Sequence, residues 1–192
     1  KYAIDRSQFG KPIVEFGAIR EKLARMAMKC YMGEAVIYRN VGLINEALHD
    51  ADPTADDYAD RCTEAVREYS IECAISKVHA SEVLNYCVDE NVQVLGGYGY
   101  VSEYPAERAY RDARINRIFE GTNEINRLLI PGEIIKKAMK GKLPFMAAGQ
   151  KLMGEIMEFS PLMVELADEP LAYQEHMVEM CKKAVIFVAG TA

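Results

Sequence analysis

The sequence predicts an all-α protein built on an up-down helical bundle. Three observations carry that prediction. Two long stretches place apolar residues three and four positions apart, the period of a helix buried along one face. A short polar turn separates them, which makes the two helices antiparallel neighbours and half of an up-down four-helix bundle. Half of the 192 residues are hydrophobic, enough for a substantial core in one domain, or in one domain plus a piece of another.

The first stretch runs through Phe16, Ile19, Leu23, Met26, Cys30, Gly33, Ile37, Ile44 and Leu48, and predicts one helix over 16–48. Gly33 on this stripe predicts close helix approach, and Asn40 is a polar intruder on it. Ahead of it, Phe9-Gly10-Lys11-Pro12 marks a break between segments. Arg6 precedes that break and reads as a solvated surface arginine or as an anion contact. In the turn, Asp52 is expected to cap the next helix with Pro53 at its first position. The second stripe carries Cys62, Val66, Tyr69, Cys73, Ala80, Val83, Cys87 and Val94, with His79 beside it as a structural histidine or a surface position.

Glycines end that stripe. Gly96-Gly97-Tyr98-Gly99 is not a dinucleotide fingerprint, because no strand precedes it and the third glycine of GxGxxG is absent. It reads as a helix C-cap and turn, or as bare backbone that a ligand can approach. Tyr104-Pro105 then opens a short helix with Arg108, Arg111, Arg114 and Arg117 spaced by three. Such a row repels itself unless paired; it reads as a solvated face in which Glu107 and Asp112 pair some of the arginines, or as a cluster that orders the site around Glu120 or meets an anionic ligand. Thr122 or Asn123 caps a further helix, which Pro131-Gly132 is expected to kink or break and which stops at Gly141.

Between the arginines and that cap stands Phe119-Glu120-Gly121. Free carboxylates are weak bases at neutral pH, but desolvation by an apolar ligand strengthens them. Ile118 and Phe119 supply an apolar approach, and a backbone N–H beside the glycine can polarise a carbonyl. Glu120 is therefore a candidate for proton abstraction next to a carbonyl.

Composition narrows the alternatives. A net charge of −6 and a pI near 5.2 argue against a general nucleic-acid surface. The apolar runs fall short of the ~20 residues a membrane span needs, and no signal-peptide pattern opens the chain. The five cysteines form no CxxC pair and no metal spacing with the histidines, which predicts buried free thiols and no metal site. Lys1 begins in mid-pattern and AVIFVAGTA ends on apolar material, so the chain is expected to be a piece of a longer protein.

Five segments in order carry a resemblance: R-S-Q-F-G-K-P (Arg6 to Pro12), Q-V-L-G-G-Y-G-Y (Gln93 to Tyr100), E-Y-P-A-E-R (Glu103 to Arg108), R-D-A-R-I (Arg111 to Ile115) and I-F-E-G-T-N-E (Ile118 to Glu124). Together they resemble the C-terminal helical domain of the acyl-CoA dehydrogenases over roughly Lys1 to Gly141. Phe16 to Met26 and the presence of an extension resemble the very-long-chain branch. The resemblance implies a four-helix domain over 1–142, and 143–192 as the start of a helical C-terminal extension. It implies FAD as cofactor, an acyl-CoA substrate, an electron-transfer flavoprotein as electron acceptor, and a homo-oligomer, dimer or tetramer.

The resemblance also implies roles. Glu120 matches the base that takes the α-proton while flavin takes hydride from the β-carbon, giving trans-2-enoyl-CoA in fatty acid β-oxidation. Arg6 and Phe9 match flavin contacts, with Arg6 on the pyrophosphate of a neighbouring subunit's cofactor. Gln93, Gly96 and Gly97 match the segment at the adenosine end of FAD. Thr122 matches a further FAD contact, and Gly121 a substrate contact. Many relatives carry T-S-Q where Thr122-Asn123-Glu124 stand, so no FAD contact is assigned to Glu124, and none to Gly17. A glutamate at position 120 goes with a straight-chain substrate.

The methionine-rich segment Phe145, Met146, Leu152, Met153, Ile156, Met157 and Phe159 predicts an amphipathic helix, with Ser160-Pro161 starting another and Glu169-Pro170 breaking it. This extension is a candidate for peripheral membrane contact. An intracellular setting is expected, cytoplasmic in a bacterium or mitochondrial in a eukaryote. The competing readings are a non-catalytic helical assembly module and an acyl-CoA oxidase.

Overall fold

The computed structural model describes residues 1–157 and 169–191, and divides the chain into two units, Lys1–Ile130 and Pro131–Ala192. The first opens with a short helix α1 (Tyr2–Asp5) and a two-residue ribbon, β1 (Ser7–Gln8) antiparallel to β2 (Lys11–Pro12), with Ser7 opposite Pro12. The break expected at Phe9-Gly10 is the turn of this hairpin. Both residues have positive φ, +52° and +83°, as a two-residue hairpin loop demands.

A 3-10 turn (Ile13–Glu15) leads into α2 (Gly17–Ala47), a 31-residue helix within a residue of the expected span. After the turn come α3 (Tyr58–Glu68) and α4 (Ser70–Leu95), interrupted at Tyr69. The expected cap by Asp52 is corrected. Its Oδ1 accepts from both the N–H and the hydroxyl of Thr54 at 2.8 Å, a closed local turn, and the helix begins later, at Tyr58.

Helices α2 and α4 run antiparallel. Lys22 pairs with Glu90, Cys30 Sγ lies 3.7 Å from Cys87 Sγ, and Asn40 donates to the Glu72 carbonyl at 2.8 Å and to the Ser76 hydroxyl. Asn40 thus holds its stripe position by hydrogen-bonding α4 instead of packing on it. Gly33 is buried, but a Cβ there would meet nothing within 4 Å, so close approach is not what requires the glycine. All five cysteines are free, but none is buried: Cys30 and Cys181 are exposed and the others half-buried.

Helix α4 is the centre of this unit, with Ile71, Ala74, Ser81, Val83 and Val94 buried along it. A 3-10 turn (Gly96–Gly99) ends it, and α5 (Pro105–Ala113) begins with Pro105 after an extended Tyr104. A further 3-10 turn (Arg114–Arg117) precedes α6 (Asn123–Met139). The break expected at Pro131 is absent, since the helix continues through it. Proline removes one N–H, and Pro131 sits exposed, where water can satisfy the freed carbonyl. The stop at Gly141 stands: with φ +70°, it donates to the Ala138 carbonyl while Lys142 donates to Lys137, a Schellman cap.

In the second unit α7 (Phe145–Met157) packs on α8 (Ala172–Thr191), with Leu152 buried and Lys183 paired to Glu155 at 2.7 Å. Phe159 and the run expected from Ser160-Pro161 lie outside the described residues. Among the described residues no helix is long and apolar enough to cross a membrane.

Candidate functional site

The C-terminal end of α4 builds a cavity of about 780 Å³. Gly96 has φ +61° and ψ −138°, a conformation barred to residues with a side chain. At Gly99 a Cβ would lie 2.7 Å from the Val92 carbonyl oxygen, so the corner needs glycine there too. Gly97 meets nothing within 4 Å and presents bare backbone to the cavity. Gly96 thus serves both sequence readings of this corner, helix stop and open backbone, and Gly97 serves the second.

Arg6 lines the same cavity, brought there by α1. Its guanidinium lies 5.7 Å from the centre of the Tyr98 ring, a cation–π contact that orients it. Tyr98 in turn meets Tyr2 edge-on at 6.3 Å and Tyr104 at 5.3 Å, and the Tyr2 hydroxyl donates to the Leu95 carbonyl at 3.3 Å. Among the described residues no carboxylate pairs with Arg6, so its charge is available to an anion. Sequence reasoning assigned Tyr98 no role. The available signal was an aromatic flanked on both sides by glycine.

Gln93 lines a neighbouring cavity of about 820 Å³ with Asp89, Glu107, Arg111 and Arg114. Phe9 stands at the hairpin tip, 92% exposed, with its ring edge-on to Phe16 at 6.2 Å.

The third place is the loop that holds Glu120. The 3-10 turn closes with Ile118 and Phe119 donating to the Ile115 carbonyl. Glu120 then has φ +53° and Gly121 φ +83°. Among the described residues Phe9 and Glu120 are the two non-glycine residues with positive φ, and both are sequence-predicted site residues. Such strain in a side-chain-bearing residue persists where its surroundings dictate it. Neither the carboxylate nor the backbone N–H of Glu120 has a hydrogen-bond partner among the described residues. Glu120 is exposed, flanked by half-exposed Ile118 and Phe119.

The loop ends where Thr122 caps α6, its hydroxyl accepting from the Ile125 N–H at 3.2 Å. Glu124 stays in the first turn. Its own N–H and the Thr122 hydroxyl hold its carboxyl below the usual carboxylate range. Asn123 is 1% exposed, the one large side chain this deeply buried among the described residues. Its amide Nδ2 donates to Ser81 Oγ at 2.9 Å and to Glu82 Oε1 at 3.1 Å, and its Oδ1 accepts from Lys77 at 2.8 Å.

Glu82 also meets Arg117 and Arg127, each at 3.2 Å. Burial opposes its ionisation, but the bonds from Asn123 and Arg127 and the charge of Arg117 outweigh it, and its carboxyl is held below the usual range. This corrects the expected pairing of the arginine row. Among the described residues Glu107 and Asp112 pair with none of those arginines, and Arg117 turns to Glu82 on α4 instead.

The cavity, the hairpin tip and the Glu120 loop can now be set beside known proteins. The family model "Acyl-CoA dehydrogenase, C-terminal domain" matches residues 1–135. A probable acyl-CoA dehydrogenase of Bacillus subtilis is 46% identical over all of this chain and 32% of its own length. The mitochondrial very long-chain specific acyl-CoA dehydrogenase of Bos taurus is 40% identical over 67% of this chain and 17% of its own length. The crystal structure of an acyl-CoA dehydrogenase complexed with FAD from Bacillus anthracis superposes with a TM-score of 0.93 at 50% identity, covering 98% of this chain and 32% of that one. The chain thus spans about a third of the length of its bacterial relatives.

Proposed function

Because the chain belongs to the acyl-CoA dehydrogenase family, as its C-terminal domain, we propose that it completes the active site of an FAD-dependent enzyme converting long-chain acyl-CoA to trans-2-enoyl-CoA. The observation that carries this reading is the Glu120 loop: a strained glutamate with an unpartnered carboxylate and an unpartnered backbone N–H at one position. The N–H of Glu120 donates to the thioester carbonyl oxygen, which acidifies the α-carbon. The carboxylate removes the α-proton. The β-hydrogen leaves as hydride, and the two electrons of the broken α-C–H bond form the new double bond. Gly121, with no side chain, lets the acyl thioester approach the backbone.

The residues present fit FAD. Arg6 carries an unpaired cation above a tyrosine ring, suited to a pyrophosphate, and Gly96 and Gly97 offer backbone within the same cavity. Phe9, Gln93 and Thr122 complete the proposed set. FAD supplies the hydride acceptor, and an electron-transfer flavoprotein receives the electrons. The enzyme works as a homo-oligomer in which Arg6 and the Gln93–Gly97 segment serve a cofactor of another subunit. Residues 1–142 form the bundle domain, and 143–192 begin an extension of very-long-chain type that touches a membrane surface peripherally. The bacterial relative that matches the whole chain supports a cytoplasmic setting.

In the full-length protein, Glu120→Gln leaves FAD bound and slows flavin bleaching by palmitoyl-CoA at least ~100-fold, the worth of a positioned base. Wild-type bleaching in that variant removes Glu120 from the chemistry. Peroxide formation in place of flavoprotein reduction would assign the oxidase reaction.

A further inference from the structure

We propose that Lys77 is the positioning residue of the Glu120 loop, reaching from the N-terminal third of α4 to fix the backbone on which the carboxylate stands. The inference rests on reading Glu120 as the base. Lys77 Nζ donates to the Gly121 carbonyl at 2.7 Å and to Asn123 Oδ1 at 2.8 Å. The Gly121 carbonyl takes a second bond from Asn126 Nδ2 at 2.9 Å. The peptide that follows the two left-handed residues is therefore held by donors from two different helices, one of them cationic.

The clamp is needed because glutamate does not adopt positive φ unaided. It is also anchored. The Asn123 amide that shares the ammonium is buried, and Ser81 and Glu82 hold it to α4. Glu82 extends the same network to Arg117 before the loop and Arg127 after it. Those contacts secure the two ends. Lys77 is the side chain of α4 that bonds the loop backbone itself, and a charge-assisted bond is about twice as strong as a neutral one. Displacing such a base by ~1 Å costs on the order of 100-fold in rate.

The test uses FAD-loaded full-length protein carrying Lys77→Gln or Lys77→Arg. It reads FAD content, palmitoyl-CoA bleaching rate, kcat and KM, and hydrogen exchange of the amides over 118–126. Lys77→Gln is expected to bleach ~10- to 100-fold more slowly per bound flavin. The loss should fall on kcat more than on KM, because the loop places the base as well as the Glu120 N–H that meets the thioester. Exchange over 118–126 should be faster, and Lys77→Arg should fall between the variant and the wild type.

A Lys77→Gln protein that melts earlier but bleaches at the wild-type rate overturns the proposal and leaves Lys77 a purely structural contact. Should Lys77→Gln yield colourless protein, Lys77→Arg decides: a wild-type rate there overturns the proposal, and a slowed rate at full FAD content supports it. Glu120→Gln in parallel separates the two failures. If it bleaches normally, the functional reading falls and the Lys77 inference with it. If it is inert while Lys77→Gln is normal, the Lys77 inference alone falls.

Discussion

Glu120 is held in a conformation that costs on the order of 1–3 kcal/mol for a residue with a side chain. The cost is offset locally, by the Thr122 cap and by the bonds that converge on the Gly121 carbonyl and Asn123. Glu82 ties those bonds to the arginines, and its titration should be felt by the loop. Its carboxyl is depressed in the folded chain, so its contribution is complete above the ordinary carboxylate range. It is lost as pH falls through the lowered value. Acid should therefore accelerate amide exchange over 118–126 before the bundle unfolds, and Glu82→Gln should remove that acid limb. An unchanged limb in the variant would place its origin in other carboxylates. An arginine cluster ordering the site around Glu120 was one reading of the sequence, but the Lys77 bond was not legible, because Lys77 and Gly121 stand 44 positions apart with no shared motif. Glu120 was legible as a candidate, a carboxylate between an apolar pair and a glycine, and its role as base is the proposal that Glu120→Gln tests.

Elements were more readable than their joints. The α2 stripe predicted its helix almost to the residue because its apolar period is sustained on both sides of Asn40, the one polar intruder. Asp52-Pro53 looked like a helix start and is a closed turn, because its side chain found the nearer donors of Thr54. Pro131-Gly132 was expected to kink or break α6, and the helix is not broken there, because one lost bond on an exposed face is tolerated within 17 helical residues. At the end of α4 the glycines divide by what surrounds them. Gly99→Ala would drive a Cβ into the Val92 backbone and should cost about 1–3 kcal/mol in denaturant unfolding. Gly97→Ala meets open space at negative φ and should leave stability within about 0.5 kcal/mol. Equal losses in the two variants would mean that the corner is stiffened by its glycines generally, and not by one contact.

At the scale of the whole molecule, the apolar surface is out of proportion to the core. Helix α2 has 31 residues and buries one of them, Gly33. Tyr31 and Tyr38 are 76% and 75% exposed on it, beside Met28, Met32 and Val41. Leu128 on α6 is 74% exposed. The stripe on α2 that faces α4 and the apolar residues on its other faces are both present in the sequence. Periodicity reports one face at a time, so only the first was read as core. Monomeric soluble proteins rarely expose contiguous apolar surface beyond a few hundred Å², and larger patches mark surfaces that other protein covers. The 192-residue chain on its own should therefore self-associate. Sedimentation at micromolar concentration should give a mass above 21.5 kDa, with strong binding of a hydrophobic dye. Tyr31→Lys with Tyr38→Lys, both pointing away from the α4 contacts at Cys30 and Asn40, should shift the chain toward monomer and weaken dye binding without loss of helicity. A monomeric, dye-silent wild-type chain would show that its apolar helices cover one another in solution.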